Sequence, residues 1–202
     1  MNVLIVKLNA TGDVVRTTPL LRRLDGQVTW VTAARNVVLV DGLKAGLRCF
    51  SWEQRERARD MVYDLVLNLE DEVEVAAFVD TVRHKQLFGA RLSSDRQVTY
   101  TDDSRQWFDL SLISRFGRKK ADELKLLNRR SYQEMIFEGL GFRFDGERYL
   151  VPDVASSDLS GDVAIAPVAG PVWPMKGWAY YGELKQQLEA SGLRVNVLPL
   201  RD

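Results

Sequence analysis

Asp13 is the side chain that the sequence places best for chemistry. The apolar run 3–7 predicts a buried parallel strand, and helical spacing of apolar residues follows over 14–24. Between them stands Thr11-Gly12-Asp13, which has turn and capping chemistry. Ligands of open α/β sheets bind beyond the carboxyl ends of the strands, where this loop would lie. Two interpretations stay open: Asp13 takes part in chemistry, or it only caps the helix while Gly12 only permits the turn.

A second acidic cluster, Glu70-Asp71-Glu72, directly follows the apolar strand pattern 63–69. Three neighbouring carboxylates could form a metal site or an acid/base cluster. The chain has only one histidine, His84, and no ligand at a suitable spacing, so a solvated start of the next helix is favoured. His84 stands between Arg83 and Lys85, and we expect it at the surface. We therefore expect no metal site.

A basic run follows later in the chain, and it has two interpretations. Such a run on a helix is most often a solvated face, but it could also be an anion site for an acceptor phosphate or carboxylate, or for a membrane surface. The same alternatives apply to two aromatic residues, Trp107 and Phe108, which could stack on a sugar or pack beneath a long loop. The basic residues are Arg118, Lys119, Lys120, Lys125, Arg129 and Arg130.

The elements that would position these residues alternate between strand and helix patterns. This alternation predicts an α/β fold with a parallel sheet covered by helices. The irregular, aromatic stretch 92–116 predicts an insertion or a long binding loop instead of another repeat unit. Strands are predicted at 28–32, 48–50, 63–69 and 86–89, and helices at 37–43, 54–61, 73–83 and 131–140.

The pattern changes near residue 150, which predicts two domains. Residues 1–150 form the first, and residues 151–161, with their proline, serines and glycine, read as a linker. Residues 162–202 show a strand, a helix over 180–190 and a second strand, the first β-α-β unit of another domain. About 40 residues of this kind bury too little surface to be stable alone.

The composition narrows the class of protein. The chain has 202 residues, of which 46% are hydrophobic, enough for a real core. Its 28 basic and 28 acidic residues balance, which argues against a nucleic-acid partner. A single cysteine, Cys49, and an N-terminus without a leader pattern favour the cytoplasm. No apolar stretch approaches the roughly 18 to 20 residues of a membrane span, so any membrane contact would be peripheral, at the inner face.

Three stretches of the chain resemble motifs of glycosyltransferase family 9, which includes the lipopolysaccharide heptosyltransferases. The first is the N-terminal stretch, which resembles the opening of that family in L-I-V-K at 4–7, G-D-V at 12–14 and T-T-P at 17–19. The stretch 166–178, with its W-P-x-K-x-W core, is similar to the family's nucleotide-side loop, and 63–69 is similar to its Y-D-L-V-I-N-L strand. A dinucleotide dehydrogenase is disfavoured because G-x-G-x-x-G is missing from the first loop.

The resemblance implies a GT-B architecture: a Rossmann-like N-terminal domain (1–150) that binds the acceptor, and a Rossmann-like C-terminal domain that binds a nucleotide-diphosphate sugar. It implies an inverting transfer of a sugar, such as a heptose from an ADP-linked donor, to a glycan or lipid-linked acceptor, without metal or other cofactor. Asp13 matches the catalytic base, and Lys176 matches the lysine that meets the donor phosphates, although a solvated loop lysine is the alternative. Further expected donor-binding residues are Gly12 and Gly170, and expected acceptor-binding residues are Arg16, Arg118, Lys119 and Lys120.

The chain also departs from the family pattern. The loop before Trp173 is longer than P-G-A-S-W-P, and a later Gly-rich, acidic nucleotide motif has no counterpart before Asp202. These departures predict a C-terminally truncated transferase with an incomplete second domain. The alternative is a non-catalytic subunit or remnant that binds an acceptor, or that pairs with a second chain or with itself through its partial sheet.

Overall fold

The computed structural model describes residues 1–110, 116–153, 160–169 and 174–198. The chain divides into two compact units, Met1–Pro152 and Asp153–Asp202. Each unit is described by itself below. Part of the predicted linker 151–161 lies outside the described residues.

The first unit is built on a mostly parallel sheet. Among the described residues its strands lie in the order β3-β2-β1-β4-β5-β6, and only β6 runs antiparallel to its neighbour. The order changes direction between β1 and β4, and ligands of open α/β sheets bind at such a switch point. The strands are β1 (Asn2–Val6), β2 (Gln27–Thr32), β3 (Leu47–Ser51), β4 (Val62–Asn68), β5 (Arg83–Leu92) and β6 (Val98–Tyr100).

Helices cover both faces of this sheet, and several connections are 3-10 turns. The α-helices are α1 (Thr11–Thr17), α2 (Val37–Val40), α3 (Val73–Thr81), α4 (Arg105–Phe108), α5 (Gly117–Leu127) and α6 (Tyr132–Gly139). The 3-10 helices are Thr18–Arg22, Ala34–Asn36, Trp52–Asp60 and Asp102–Ser104. None of the helices within the described residues is long and apolar enough to cross a membrane.

The core has two layers because successive side chains of a strand point to opposite faces. Val3 and Ile5 of β1 pack into one buried cluster, together with Trp30 and residues of α6. Leu4 and Val6 pack into the other cluster, against α3. This explains why β1 is apolar on both faces.

The second unit contains a β-α-β arrangement. Its strands β7 (Val163–Ile165) and β8 (Val195–Val197) are parallel neighbours, and α7 (Tyr181–Ala190) connects them. A 3-10 helix, Pro174–Lys176, lies between β7 and α7.

The first predicted helix, 14–24, is wrong in extent. The α-helix begins earlier, at Thr11, and ends at Thr17, after which a 3-10 helix continues to Arg22. Pro19 has no backbone N–H, so it cannot make the α-helical hydrogen bond to the carbonyl of Val15. The hydroxyl of Thr18 donates to that carbonyl instead, at 2.8 Å.

The stretch 92–116 is more regular than the sequence predicts. It contains β6, a 3-10 turn and α4 within its described part. Tyr100 stacks on Phe108 with ring centroids 4.3 Å apart, and both rings belong to a small buried cluster with Ala90. The aromatic residues that suggested a loop therefore form a local core.

Candidate active site

A cavity of about 710 Å³ lies at the carboxyl ends of β1 and β4, in the first unit. Its lining comes from three places: the β1–α1 connection, the segment after β4, and the region from α4 to α6. The lining includes Lys7, Asn9, Ala10, Asp13 and Arg16; Leu69, Glu70, Asp71 and Glu72; and Trp107, Lys125, Arg130, Tyr132 and Met135. The sheet topology thus brings residues that are distant in sequence to the switch point.

Asp13 lies in the first turn of α1, and its side chain is 38% exposed towards the cavity. Its Oδ1 accepts a hydrogen bond from Nη1 of Arg16 at 3.2 Å. Ala10 occupies the N-cap position, and its side chain makes no capping hydrogen bond. Asp13 is therefore not the N-cap residue, and its carboxylate is accessible to a ligand.

Arg16 connects Asp13 to an aromatic wall. Its guanidinium lies over the ring of Tyr132, with Cζ 4.6 Å from the ring centroid. The hydroxyl of Tyr132 lies 2.9 Å from Oγ1 of Thr17, and Thr17 in turn donates to the backbone carbonyl of Asp13 at 2.8 Å. Burial raises the pKa of Tyr132 well above its usual value, so this phenol stays neutral. The ring thus holds α6 against α1.

Glu70 is buried, which corrects the prediction of a solvated helix start for this residue, whereas Glu72 is exposed at the N-cap of α3, as predicted. The side chain of Glu70 is 8% exposed and its Oε1 lies 2.8 Å from Nζ of Lys7, whose side chain is 6% exposed. The same oxygen accepts hydrogen bonds from the backbone N–H groups of Leu8 at 2.6 Å and Asn9 at 2.9 Å. Buried charges require such partners, and here they join the end of β1 to the segment after β4.

Glu72 lies in a more acidic environment. Partial desolvation, followed by repulsion from Glu70 and Asp71, raises the pKa of its carboxyl group. Within the part of the chain that the structure describes, no group of three or more His, Cys, Asp or Glu side chains could hold a metal ion.

The β1–α1 connection is held from its other side by Asn36, which is fully buried. Nδ2 of Asn36 donates to the carbonyl of Leu8 at 2.7 Å, and its Oδ1 accepts from the hydroxyl of Thr11 at 2.9 Å. Arg35 also donates to Oδ1 of Asn9, at 2.9 Å. The loop that leads to Asp13 is therefore fixed between residues that follow β2 and β4, the strands on either side of β1.

Of the residues predicted to bind the sugar acceptor, some line the cavity and others do not. Arg16 lines the cavity, whereas Arg118, Lys119 and Lys120 lie on the exposed N-terminal part of α5 and are not among its described lining. Two later residues of the same basic run, Lys125 and Arg130, do line the cavity. The sequence pattern could not separate them, because all six cations look alike without the position of α5.

The residues predicted to bind the nucleotide-sugar donor belong to both units. Gly12 is in the first turn of α1, and a Cβ added there would meet no atom within 4 Å. Lys176 is exposed at the end of the 3-10 helix of the second unit. Gly170 lies outside the described residues.

The two aromatic candidates have different roles. Phe108 is 1% exposed and belongs to the core. Trp107 lines the cavity and makes edge-to-face contacts with Phe108 and Tyr132, at 4.6 and 5.5 Å between centroids. Both rings line the cavity, but Trp107 is the less buried of the two and is therefore the better candidate for contact with a ligand.

Sequence comparison finds no relative, since no family model and no curated protein matches the chain. Among solved structures, E. coli heptosyltransferase WaaC with ADP-2-deoxy-2-fluoro heptose is similar, at a TM-score of 0.57 and 16% identity. The same enzyme with ADP is similar at a TM-score of 0.58 and 17% identity. The likeness covers 100% of this chain and 70% and 69% of the WaaC chains.

At 16% and 17% identity, the structural similarity establishes the fold and nothing more specific. The chain is an α/β protein of GT-B type, with a Rossmann-like N-terminal unit on a mostly parallel sheet and a β-α-β unit of a second Rossmann-like region. The fold class predicted from the sequence is confirmed.

Proposed function

We propose that this chain belongs to an inverting, metal-independent glycosyltransferase that moves a sugar from a nucleotide diphosphate to a glycan or lipid-linked acceptor. The observation that carries the proposal is the position of Asp13. An accessible carboxylate lines the cavity described above, at the switch point of a GT-B sheet. The similar structures reported above are of a heptosyltransferase with ADP or an ADP-heptose analogue, so heptose is the first sugar to test.

In the proposed reaction, Asp13 is the general base. Its carboxylate takes the proton from an acceptor hydroxyl while that oxygen attacks the anomeric carbon of the donor. The bond from this carbon to the diphosphate breaks on the opposite face, which inverts the configuration and releases the nucleoside diphosphate. A positioned base is typically worth about 10² to 10⁴ in rate. The hydrogen bond from Arg16 would orient the carboxylate for this step.

The cavity offers two kinds of contact to a sugar acceptor. Trp107 has an aromatic surface on which a sugar ring could stack. Arg16, Lys125 and Arg130 line the same cavity as Asp13 and could donate to an acidic group of the acceptor, and in the structure they pair with Asp13, Asp122 and Glu138. These three cations replace Arg118, Lys119 and Lys120 as our first candidates for acceptor contacts inside the cavity, because the latter lie outside its described lining.

We propose that the second unit supplies the donor contacts. Lys176 would meet the diphosphate and offset the charge that grows on it as it departs. Its exposed position in a 3-10 turn after β7 leaves the ammonium group available to a ligand. Gly170 and Gly12 remain proposed donor contacts through their backbones, and the open space beside Gly12 supports close approach of a ligand there.

The test is the transfer reaction followed by NMR, with ADP-heptose and other nucleotide-diphosphate sugars as donors and phosphorylated glycans as acceptors. We expect a glycoside of inverted anomeric configuration and one nucleoside diphosphate per product, at a rate that EDTA does not change. Lys176→Ala should raise the KM for the donor, since a phosphate contact is lost. A product of retained configuration, or no transfer with any donor, would contradict the proposal.

A further inference from the structure

Glu70 connects two parts of the candidate site, and the proposed transfer mechanism assigns no role to this residue. It follows β4, while its described hydrogen-bond donors belong to the end of β1 and the loop beyond: the ammonium of Lys7 and the backbone N–H groups of Leu8 and Asn9. All three donors meet the same oxygen, Oε1, at 2.6 to 2.9 Å. The carboxylate is thus used to hold backbone and not merely to neutralise a lysine.

We propose that Glu70 is a positioning residue for Asp13, with Lys7 as the countercharge that allows its carboxylate to be buried. This inference rests on the proposed function, in which Asp13 is the base. It gives Glu70, the first residue of the 70–72 cluster, a role that requires no contact with the acceptor or with the sugar donor.

The connection from Glu70 to Asp13 can be followed bond by bond. Glu70 fixes the amides of Leu8 and Asn9, and the next residue, Ala10, accepts hydrogen bonds from the amides of Asp13 at 2.8 Å and Val14 at 3.0 Å. Ala10 is therefore both the residue after the fixed amides and the N-cap of the helix that carries Asp13. A shift of the loop moves the first turn of α1 with it.

The chemistry of the cluster suits a positioning role. A carboxylate that accepts from backbone N–H groups makes charge-assisted hydrogen bonds, which are shorter and stronger than neutral ones. Removing one partner of a buried ion pair is costly, whereas replacing the pair by apolar residues is often neutral for stability. Stability alone therefore does not require Glu70 and Lys7, but fixing the loop amides requires an acceptor at this place.

Amide hydrogen exchange of the full chain tests the proposal without depending on turnover. In Glu70→Ala we expect about tenfold faster exchange at Leu8, Asn9, Asp13 and Val14, measured relative to sheet amides such as that of Val66. Glu70→Gln keeps an acceptor oxygen and should restore part of the protection. The matched control is Glu74→Ala on α3, whose side chain is 71% exposed, and it should leave these amides unchanged.

Three outcomes decide against the proposal. Faster exchange at Leu8 and Asn9 with no change at Asp13 and Val14 would mean that the bonds do not reach the base. An equal increase across the whole sheet would mean a general structural role. Unchanged exchange at all four amides would mean that the carboxylate does not hold the loop. If Glu70→Ala does not fold, the paired variant Lys7→Met/Glu70→Leu replaces it, because it removes the acceptor oxygen and leaves neither charge unpaired.

Kinetics adds a second readout that a structural role would not move. For the transfer reaction we expect Glu70→Gln to lower kcat several-fold, about tenfold at most, with KM nearly unchanged, because ligand contacts stay while the base is less well placed. A rise in KM alone would contradict positioning. If the wild-type chain transfers no sugar, the proposed function fails, whereas the exchange experiment still decides whether Glu70 orders the Asp13 turn.

Discussion

Individual carboxylates around the cavity have different surroundings, and these differences separate their roles. Asp13 is accessible and pairs with Arg16, so it can meet a substrate proton. Glu70 is buried and bonded to Lys7 and backbone amides. Glu72 is partly desolvated and is repelled by its acidic neighbours, and both effects raise its pKa. In our proposals, Asp13 serves as the base and Glu70 as its support, and Glu72 has no assigned role in the reaction.

The raised pKa of Glu72 predicts the direction in which the stability of the protein changes with pH. An acid whose pKa is raised on folding binds its proton more tightly in the folded state, so its charged form costs stability at neutral pH and this cost disappears as the pH falls below both pKa values. Glu72→Gln should therefore raise the free energy of unfolding at pH 7, by no more than about 1 kcal/mol at such an exposed site. The gain should vanish near pH 4 in denaturant titrations.

Asp64 provides a control of opposite sign. A hydrogen bond from Lys85, followed by one from the backbone N–H of Asn2, lowers the pKa of Asp64. Its stabilising effect is present above the unfolded pKa and is lost as the pH falls through the folded pKa. Asp64→Asn should accordingly lower stability at pH 7 and have less effect in acid. Equal pH profiles for the two variants would contradict the assigned environments.

At the scale of elements, the close pairing of β4 and β5 depends on Gly89. Its φ is +121°, and a Cβ added there would lie 1.9 Å from the backbone oxygen of Asn68. Asn68 is fully buried, donates to the carbonyl of Ala90 at 2.8 Å and accepts from the amide of Glu70 at 3.2 Å. The glycine therefore allows the approach of β5 to the segment that carries Glu70.

Gly89→Ala should destabilise the protein by at least about 2 kcal/mol, because it combines backbone strain with an overlap that only a strand shift can relieve. Chemical denaturation gives the measurement. Gly12→Ala is the matched control: the helical site has open space and no positive φ, so stability should stay within about 1 kcal/mol of wild type. Similar stability of the two variants would argue against the close contact at Gly89.

The elements themselves were largely predictable where a single local signal dominated. The buried strand at the start of the chain and the strand now seen as β4 were recognisable because short, continuous apolar runs are typical of buried parallel strands. The early end of α1 was missed because it depends on the missing N–H of Pro19. The 3-10 geometry of 52–60, where a helix was expected over 54–61, was not visible in a polar segment without periodicity.

At the scale of the whole molecule, the site depends on strand order, which local patterns do not contain. Alternating elements and the three motifs predict the fold class, and they single out Asp13 and Arg16, which line the cavity. The pairing of Lys7 with Glu70 needs β1 and β4 to be neighbours, and the contact of Arg16 with Tyr132 needs α6 to pack near α1. The sequence does contain one signal for the ion pair: Lys7 directly follows a buried strand, and a buried ammonium group requires a partner.

The most direct test of the central claim is the rate of sugar transfer by Asp13→Asn, compared with the wild-type chain. Asparagine keeps the shape of the side chain but cannot take a proton, so we expect kcat/KM to fall by about 10² to 10⁴ while thermal stability stays close to wild type. Asp25→Asn, which changes an exposed carboxylate before β2, should leave the rate unchanged. Transfer by Asp13→Asn within about twofold of the wild-type rate would contradict the assignment of Asp13 as the base.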